Sequence, residues 1–206
     1  MAPANNWKGT SVIRRSVAAA LAMALVGTAA LAQAPKDPVP NAQSKGAQPT
    51  DSGAASGAGD TLVMELKSGI VKVQLRPDLA PKHVERVKTL AKEGFYNGIV
   101  FHRVIEGFMA QTGDPTGTGG SKYGNLPAEF TPEVYKRGTV GAARSRDPNS
   151  ANSQFFICFN DQGCRGLTGQ YTIWGQVVEG MDHVDKITRG EPPSTPDKMV
   201  KVYLAK

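Results

Sequence analysis

Residues 100–112 read VFHRVIEGFMAQT. Two apolar runs, 100–105 and 108–112, flank Gly107, the pattern of two short strands joined by a tight turn. Side chains alternate along an extended chain. Phe101, Arg103 and Ile105 are therefore expected on one face of the first strand, opposite Val100, His102 and Val104. A permanently charged arginine is out of place on a core face. Either its stem packs at a barrel mouth while its head is solvated, or the guanidinium serves a site on that face.

The neighbouring sequence repeats the strand signal. Segments 61–67 and 70–75 alternate around Ser68-Gly69, which predicts a hairpin with Val71, Val73 and Leu75 on one face and Lys72 and Gln74 on the other. Pro81 then opens a helix at a position where its missing N–H costs nothing. Val84, Val87, Leu90 and Ala91 form its apolar stripe, and Gly94 closes it. Further strands are expected at 139–143, 154–159, 172–178 and 199–204, with a short helix at 181–187 before the last. Trp174, inside one of these strands, reads as core. Strands dominate without regular strand–helix alternation, which argues against a parallel α/β sheet and for an antiparallel barrel or sandwich with two helices. In Asn152-Ser153-Gln154-Phe155-Phe156-Ile157 the adjacent phenylalanines must face opposite ways. That pattern suits two packed layers as well as a core beside a binding cleft.

These strands all lie in the last 146 of the 206 residues, together with 13 of the 14 aromatics. A chain segment of that length can bury one real core. Residues 1–32 instead read as a secretory leader. Lys8, Arg14 and Arg15 precede a 16-residue apolar or small stretch from Val17 to Ala32, which ends in the small-x-small site Ala30-Leu31-Ala32. The alternative is an uncleaved anchor, but the stretch falls short of the roughly 20 residues that span a bilayer. No stable membrane insertion is expected after cleavage. Residues 33–60 carry four Pro, four Gly, six Ala and no aromatic, a linker composition that cannot bury enough apolar surface to order itself. The formal charge of +6 divides into +3 for the leader, −1 for the linker and +4 for the domain, with no dense basic run. Nucleic-acid binding is therefore not expected.

Common catalytic signatures are missing. The glycine-rich segment 113–121, GDPTGTGGS, lacks both the Gly-Lys-Ser/Thr ending of a phosphate loop and the spacing of a dinucleotide loop. His83, His102 and His183 show no metal-ligand spacing, and there is no Gly-x-Ser-x-Gly elbow. No metal and no cofactor are expected. Cys158 and Cys164 can pair in an oxidising compartment or remain two thiols; spacing alone leaves both open.

Phe101-His102-Arg103-Val104-Ile105-x-Gly107-Phe108-Met109-x-Gln111-x-Gly113-Asp114 resembles the signature of the cyclophilins. So do Asn152–Ile157, Leu167-Thr168-Gly169-Gln170-Tyr171 and Gly175-x-Val177-x-Glu179-Gly180-Met181, in order and spacing. The resemblance runs from about Leu62 to Leu204. It implies a mainly β fold, a closed eight-stranded antiparallel barrel capped by two α-helices, and peptidyl-prolyl cis–trans isomerase activity on proline-containing peptides and unfolded proteins. It puts Arg103 in the catalytic position, and Phe108, Met109, Phe156 and Leu167 at a proline pocket. His102, Gln111, Ala143 and Gln154 fall along the groove, and Tyr171 stands where many relatives have histidine. Gly166 replaces a tryptophan of the best-known relatives, so weak cyclosporin binding is expected. Arg144 replaces a groove-edge asparagine, which implies a shifted peptide preference.

Such a reaction makes and breaks no covalent bond. The expected protein is a periplasmic or secreted isomerase, a monomer, that assists exported proteins to fold. The competing reading is a proline-peptide-binding chaperone module whose catalysis is incidental.

Overall fold

The computed structural model describes residues 59–116 and 120–206. The leader reading and all but the end of the linker reading fall outside these residues. Eight strands form one sheet: β1 (Thr61–Leu66), β2 (Gly69–Leu75), β3 (Arg103–Ile105), β4 (Met109–Thr112), β5 (Thr139–Ala142), β6 (Phe155–Cys158), β7 (Ile173–Glu179) and β8 (Met199–Leu204). Their order across the sheet is β3-β4-β6-β5-β7-β2-β1-β8, and every pair is antiparallel.

The expected hairpin is present, with Val71, Val73 and Leu75 buried and Lys72 and Gln74 only partly so. The chain before it is already anchored at Asp60. Its carbonyl accepts from the Leu75 N–H at 2.8 Å, and its carboxylate accepts from Lys88 at 2.6 Å.

The sheet curls into an open half-barrel, so the closed barrel is corrected. β3 and β8 are its two ends. β3 has only three residues, and its outer edge is taken by Gly190 instead of a strand. The seam is stitched by the residues leading into the end strands. The N–H of Phe101 donates to the carbonyl of Asp197 at 2.8 Å, and that of Met199 to the carbonyl of Ile99 at 2.9 Å. This stitching also shortens the expected strand 100–105. Phe101 leaves the face of Arg103 and becomes fully buried in the interior core.

Helix α1 (Pro81–Lys92) buries Val84, Val87, Leu90 and Ala91, the predicted stripe, together with His83. Ala80 at its start offers no side-chain cap. The Glu129 carboxylate, 47 residues from Lys82, instead accepts from the N–H groups of Lys82 and His83, both at 3.1 Å. It thereby satisfies two of the donors that a helix start leaves unpaired.

The second expected helix is shorter than read: α3 spans Met181–Val184. Its continuation tightens to i→i+3 bonds, from Lys186 to His183 and from Ile187 to Val184. The four-residue helix α2 (Asp161–Cys164) was not expected. Its signal in the sequence is Asn160, whose side chain accepts from the Gly163 N–H at 2.7 Å as an N-cap.

Candidate active site

The pleat separates two apolar clusters. Val104, Ala110, Val140, Phe155 and Ile157 face the interior with Trp174, as expected for that tryptophan. Met109, Phe156, Cys158 and Ile173 belong to a second cluster on the other face, with Tyr135 and Cys164. The adjacent phenylalanines therefore do face opposite ways, into a core and into a separate apolar site.

Register aligns the second face. Arg103 pairs with Gln111 across β3 and β4, Gln111 with Phe156 across β4 and β6, and Phe156 with Gly141 across β6 and β5. A row of arginine, glutamine and phenylalanine thus ends at a glycine. A Cβ at Gly141 would stand 2.6 Å from the Phe156 ring and closer still to the Tyr135 hydroxyl. Only the missing side chain lets both rings lie flat there, stacked with centroids 5.9 Å apart.

A hollow of about 110 Å³ opens on this face, lined by Arg103, Phe108, Met109, Gln111, Ala143, Arg144, Phe156, Leu167 and Tyr171. Tyr171 meets Phe156 edge-on at 5.8 Å, and the Arg144 guanidinium lies 4.4 Å above the Tyr171 ring. Arg144 also donates from Nη2 to the carbonyl of Gln170 at 2.9 Å and from Nη1 to that of Ser145 at 2.9 Å. A wider hollow of about 270 Å³ is lined by Gln111, Ala143, Arg144, Ser145, Ser150 and Gln154. The Gln111 amide donates to Gln154 Oε1 at 2.9 Å, and the Gln154 amide donates to Asp114 at 3.0 Å. This chain of amides orients Gln111 at the junction of the two hollows.

The segment carrying Leu167 is fastened from below. Cys158 of β6 and Cys164 of α2 are joined by a disulfide, with Cα atoms 6.1 Å apart. Both cysteines are fully buried. The bond resolves the alternative left open by their spacing, and it ties α2 and the following turn to the sheet.

Eight of the ten site residues expected from the sequence line the first hollow; Gln154 lines only the second, and His102 lines neither. His102 is half-buried, and its Nδ1 has no hydrogen-bond partner among the described residues. Burial holds its pKa below the usual histidine value, against the pull of Asp114. A neutral imidazole at pH 7 suits packing beside the site better than acid–base work. Glu191 is a site neighbour that the sequence reading did not find. Its Oε1 accepts from Arg103 Nε at 2.6 Å across 88 residues of sequence. No local pattern connects positions so far apart.

A hydrophobic slot with one guanidinium and one amide at its edge can hold a small apolar ring and polarise an adjacent amide. It contains no obvious nucleophile, and its arginine cannot serve as a base.

Comparisons with known proteins agree with that chemistry. The family model for cyclophilin type peptidyl-prolyl cis-trans isomerase/CLD matches residues 61–204. A probable peptidyl-prolyl cis-trans isomerase of Brucella suis biovar 1 is 53% identical over 163 residues, covering 70% of this chain and 82% of the relative. A peptidyl-prolyl cis-trans isomerase of Helicobacter pylori is 40% identical over 134 residues, covering 62% and 80%. Among solved structures, the cyclophilin AquaCyp293 of Hirschia baltica superposes with a TM-score of 0.64 at 28% identity, over 71% of this chain and 74% of that one. A Cryptosporidium parvum cyclophilin type peptidyl-prolyl cis-trans isomerase, solved in the presence of the dipeptide Ala-Pro, gives 0.64 at 28% identity, over 71% and 99%.

Proposed function

The chain belongs to the cyclophilin-type peptidyl-prolyl cis–trans isomerases, and on that premise we propose that the outer-face hollow is its catalytic site and Arg103 its catalytic residue. The isomerase names of the relatives favour an enzyme over a passive binding module. The observation that carries the assignment is the position of Arg103 at the edge of a slot walled by Phe108, Met109, Phe156 and Leu167.

The barrier to rotation about a peptide bond, about 18–20 kcal/mol, comes from its partial double-bond character. Twisting the bond ends that resonance and returns a lone pair to the prolyl nitrogen. A guanidinium donor aimed at that nitrogen stabilises the twisted state more than either planar isomer, which is the condition for catalysis. Arginine suits the role because it keeps its proton and presents several donors in one plane. The aromatic and aliphatic walls hold the pyrrolidine ring while the preceding carbonyl turns. Gln111, steadied by Gln154, holds a flanking backbone carbonyl. Ala143 and Tyr171 complete the groove. Removing about 4 kcal/mol from the barrier corresponds to roughly a thousandfold acceleration.

The substrates we propose are proline-containing segments of exported proteins, met in the periplasm or outside the cell. The leader pattern of residues 1–32 supports this, and a buried disulfide suits an oxidising compartment. Weak cyclosporin binding follows from Gly166, which presents no side chain to the ligand.

Exchange NMR on a short Ala-Pro peptide tests the assignment. Substoichiometric protein is expected to speed cis–trans exchange, and saturating peptide to shift the resonances of Phe108, Phe156 and Leu167. Rapid exchange with shifts confined to another surface would overturn it. Cell fractionation tests the location: a periplasmic or secreted protein beginning near Gln33 is expected, and a cytoplasmic protein retaining residues 1–32 contradicts it.

A further inference from the structure

The reach of Arg103 depends on which of its donors remain available. Nε is engaged by Glu191, while the two terminal amino groups make no hydrogen bond among the described residues. Glu191 is placed there by backbone. Its neighbour Gly190 exchanges two hydrogen bonds with Val104, one in each direction and both at 2.8 Å, forming a single antiparallel rung on the free edge of β3. On an antiparallel rung the flanking residues also face each other, so 191 falls opposite 103 and 189 opposite 105.

The loop is held on both sides of that rung. The Thr188 N–H and hydroxyl both donate to Asp197, at 2.8 and 2.9 Å. Arg189 donates to Glu106 at 2.6 Å and lies 4.2 Å over the Phe159 ring. Gly190 has φ +148, and a Cβ there would come within 2.5 Å of Pro193, so the turn that delivers Glu191 requires glycine.

We propose that Glu191 is a positioning residue for the isomerase reaction. By holding Nε from outside the slot, it fixes the plane of the guanidinium and leaves both terminal amino groups for the twisted imide. The inference rests on the assignment of Arg103 above. The Arg103 and Glu191 side chains are 43% and 51% exposed. An exposed pair of this kind adds little to stability. Its effect is instead to order a flexible side chain before substrate arrives, so that less freedom is lost in the transition state.

The test measures kcat and KM separately for Glu191→Ala, Glu191→Gln, Arg103→Ala and the Arg103→Ala/Glu191→Ala double variant, with Glu179→Gln, an exposed carboxylate paired with Lys72 and lining neither hollow, as a charge control. Glu191→Ala is expected to lower kcat about tenfold with KM within about twofold. Glu191→Gln keeps a neutral acceptor and is expected to lose about threefold; Glu179→Gln should match wild type. In the Arg103→Ala background, Glu191→Ala should cause no further loss, because the two act as a unit. The ¹H–¹⁵N resonance of Arg103 Nε should move in Glu191→Ala while that of Arg189 stays, a readout that a merely structural contact elsewhere would not change.

An active Glu191→Ala beside an inactive Arg103→Ala overturns the positioning role alone. An equal loss from Glu191→Ala in both backgrounds also overturns it. Wild-type activity in Arg103→Ala overturns the catalytic assignment itself, and the positioning role with it.

Discussion

Phe155 and Phe156 are neighbours on one strand and almost equally buried, at 2% and 4% exposure, yet they belong to different parts of the molecule. Phe155 meets Trp174 and Tyr96 edge-on, with centroids 5.3 and 5.5 Å away, inside the half-barrel. Phe156 lies among Tyr135 and Tyr171 on the opposite face and forms a wall of the hollow. Burial therefore does not separate the fold from the function here. The interior cluster is buried among apolar neighbours, whereas the outer cluster is apolar but left open, with Arg103 and Gln111 at its edge.

The largest expected effect separates the two rings directly. Phe155→Ala should cost about 3–5 kcal/mol of unfolding free energy, the usual range for a buried aromatic ring. Its folded fraction should retain near-normal kcat/KM. Phe156→Ala should cost about 3 kcal/mol, at the lower end because the cavity adjoins an existing hollow, and should raise KM at least about tenfold. Denaturant titration and peptide kinetics on both variants check this. Equal losses of activity from both would dissolve the distinction between the faces.

The disulfide gives a smaller effect confined to the outer face. Closing so short a loop contributes about 2 kcal/mol on the chain-entropy argument. Reduction should therefore lower stability by about that much and weaken peptide binding through the Leu167 segment. Melting and KM measured with and without a reductant check it. A reduced protein with unchanged KM would show that Leu167 does not depend on the bond for its position.

A still smaller effect comes from pH and should be felt at the start of α1, with a part from His102. Burial holds the His83 pKa below the ordinary histidine value, outweighing the pull of Glu129 2.6 Å away. His83 Nε2 is buried with no partner among the described residues, so a second proton finds no acceptor there. The pair is therefore a neutral imidazole donating from Nδ1 to a carboxylate. A depressed pKa in the folded state means that this contribution is complete above the unfolded value of about 6.5 and is lost as pH falls from there toward the folded value. For Glu129, burial opposes ionisation, but the hydrogen bonds from His83 and from the N–H groups of Lys82 and His83 prevail and hold its pKa below the usual 4.5. Its contribution is complete above 4.5 and lost as pH falls through the folded value. The melting temperature should be flat from pH 7 to 8.5 and decline below about 6.5, and His83→Asn should reduce the first part of that decline, leaving the share of His102. Over the alkaline range kcat/KM should stay constant, because a guanidinium is not deprotonated there and the reaction moves no proton. A bell-shaped profile would contradict this.

Much of the fold was legible because its signals are local. Alternation marked the hairpin and the strand cores, and Pro81 and Gly94 bracketed the helix. The opposed directions of Phe155 and Phe156 followed from the pleat alone. What escaped is non-local. The bonds between Gly190 and Val104 cap the outer edge of β3 in place of a strand, the bond from Phe101 to Asp197 accompanies the inward turn of Phe101, and no periodicity in residues 100–105 carries that information. The site divides in the same way. Arg103, Gln111 and Phe156 were legible through motif resemblance, but their alignment in one row depends on strand register, and Glu191 arrives by a contact across 88 residues.

The most direct test of the account is the catalysed rate of proline-peptide isomerisation by Arg103→Ala, measured in a protease-coupled assay beside its unfolding midpoint. A loss of roughly a hundred- to a thousandfold in kcat/KM with an unchanged midpoint is expected, since the half-exposed side chain stabilises the twisted bond and not the fold. A folded variant that turns over the peptide at the wild-type rate would contradict it.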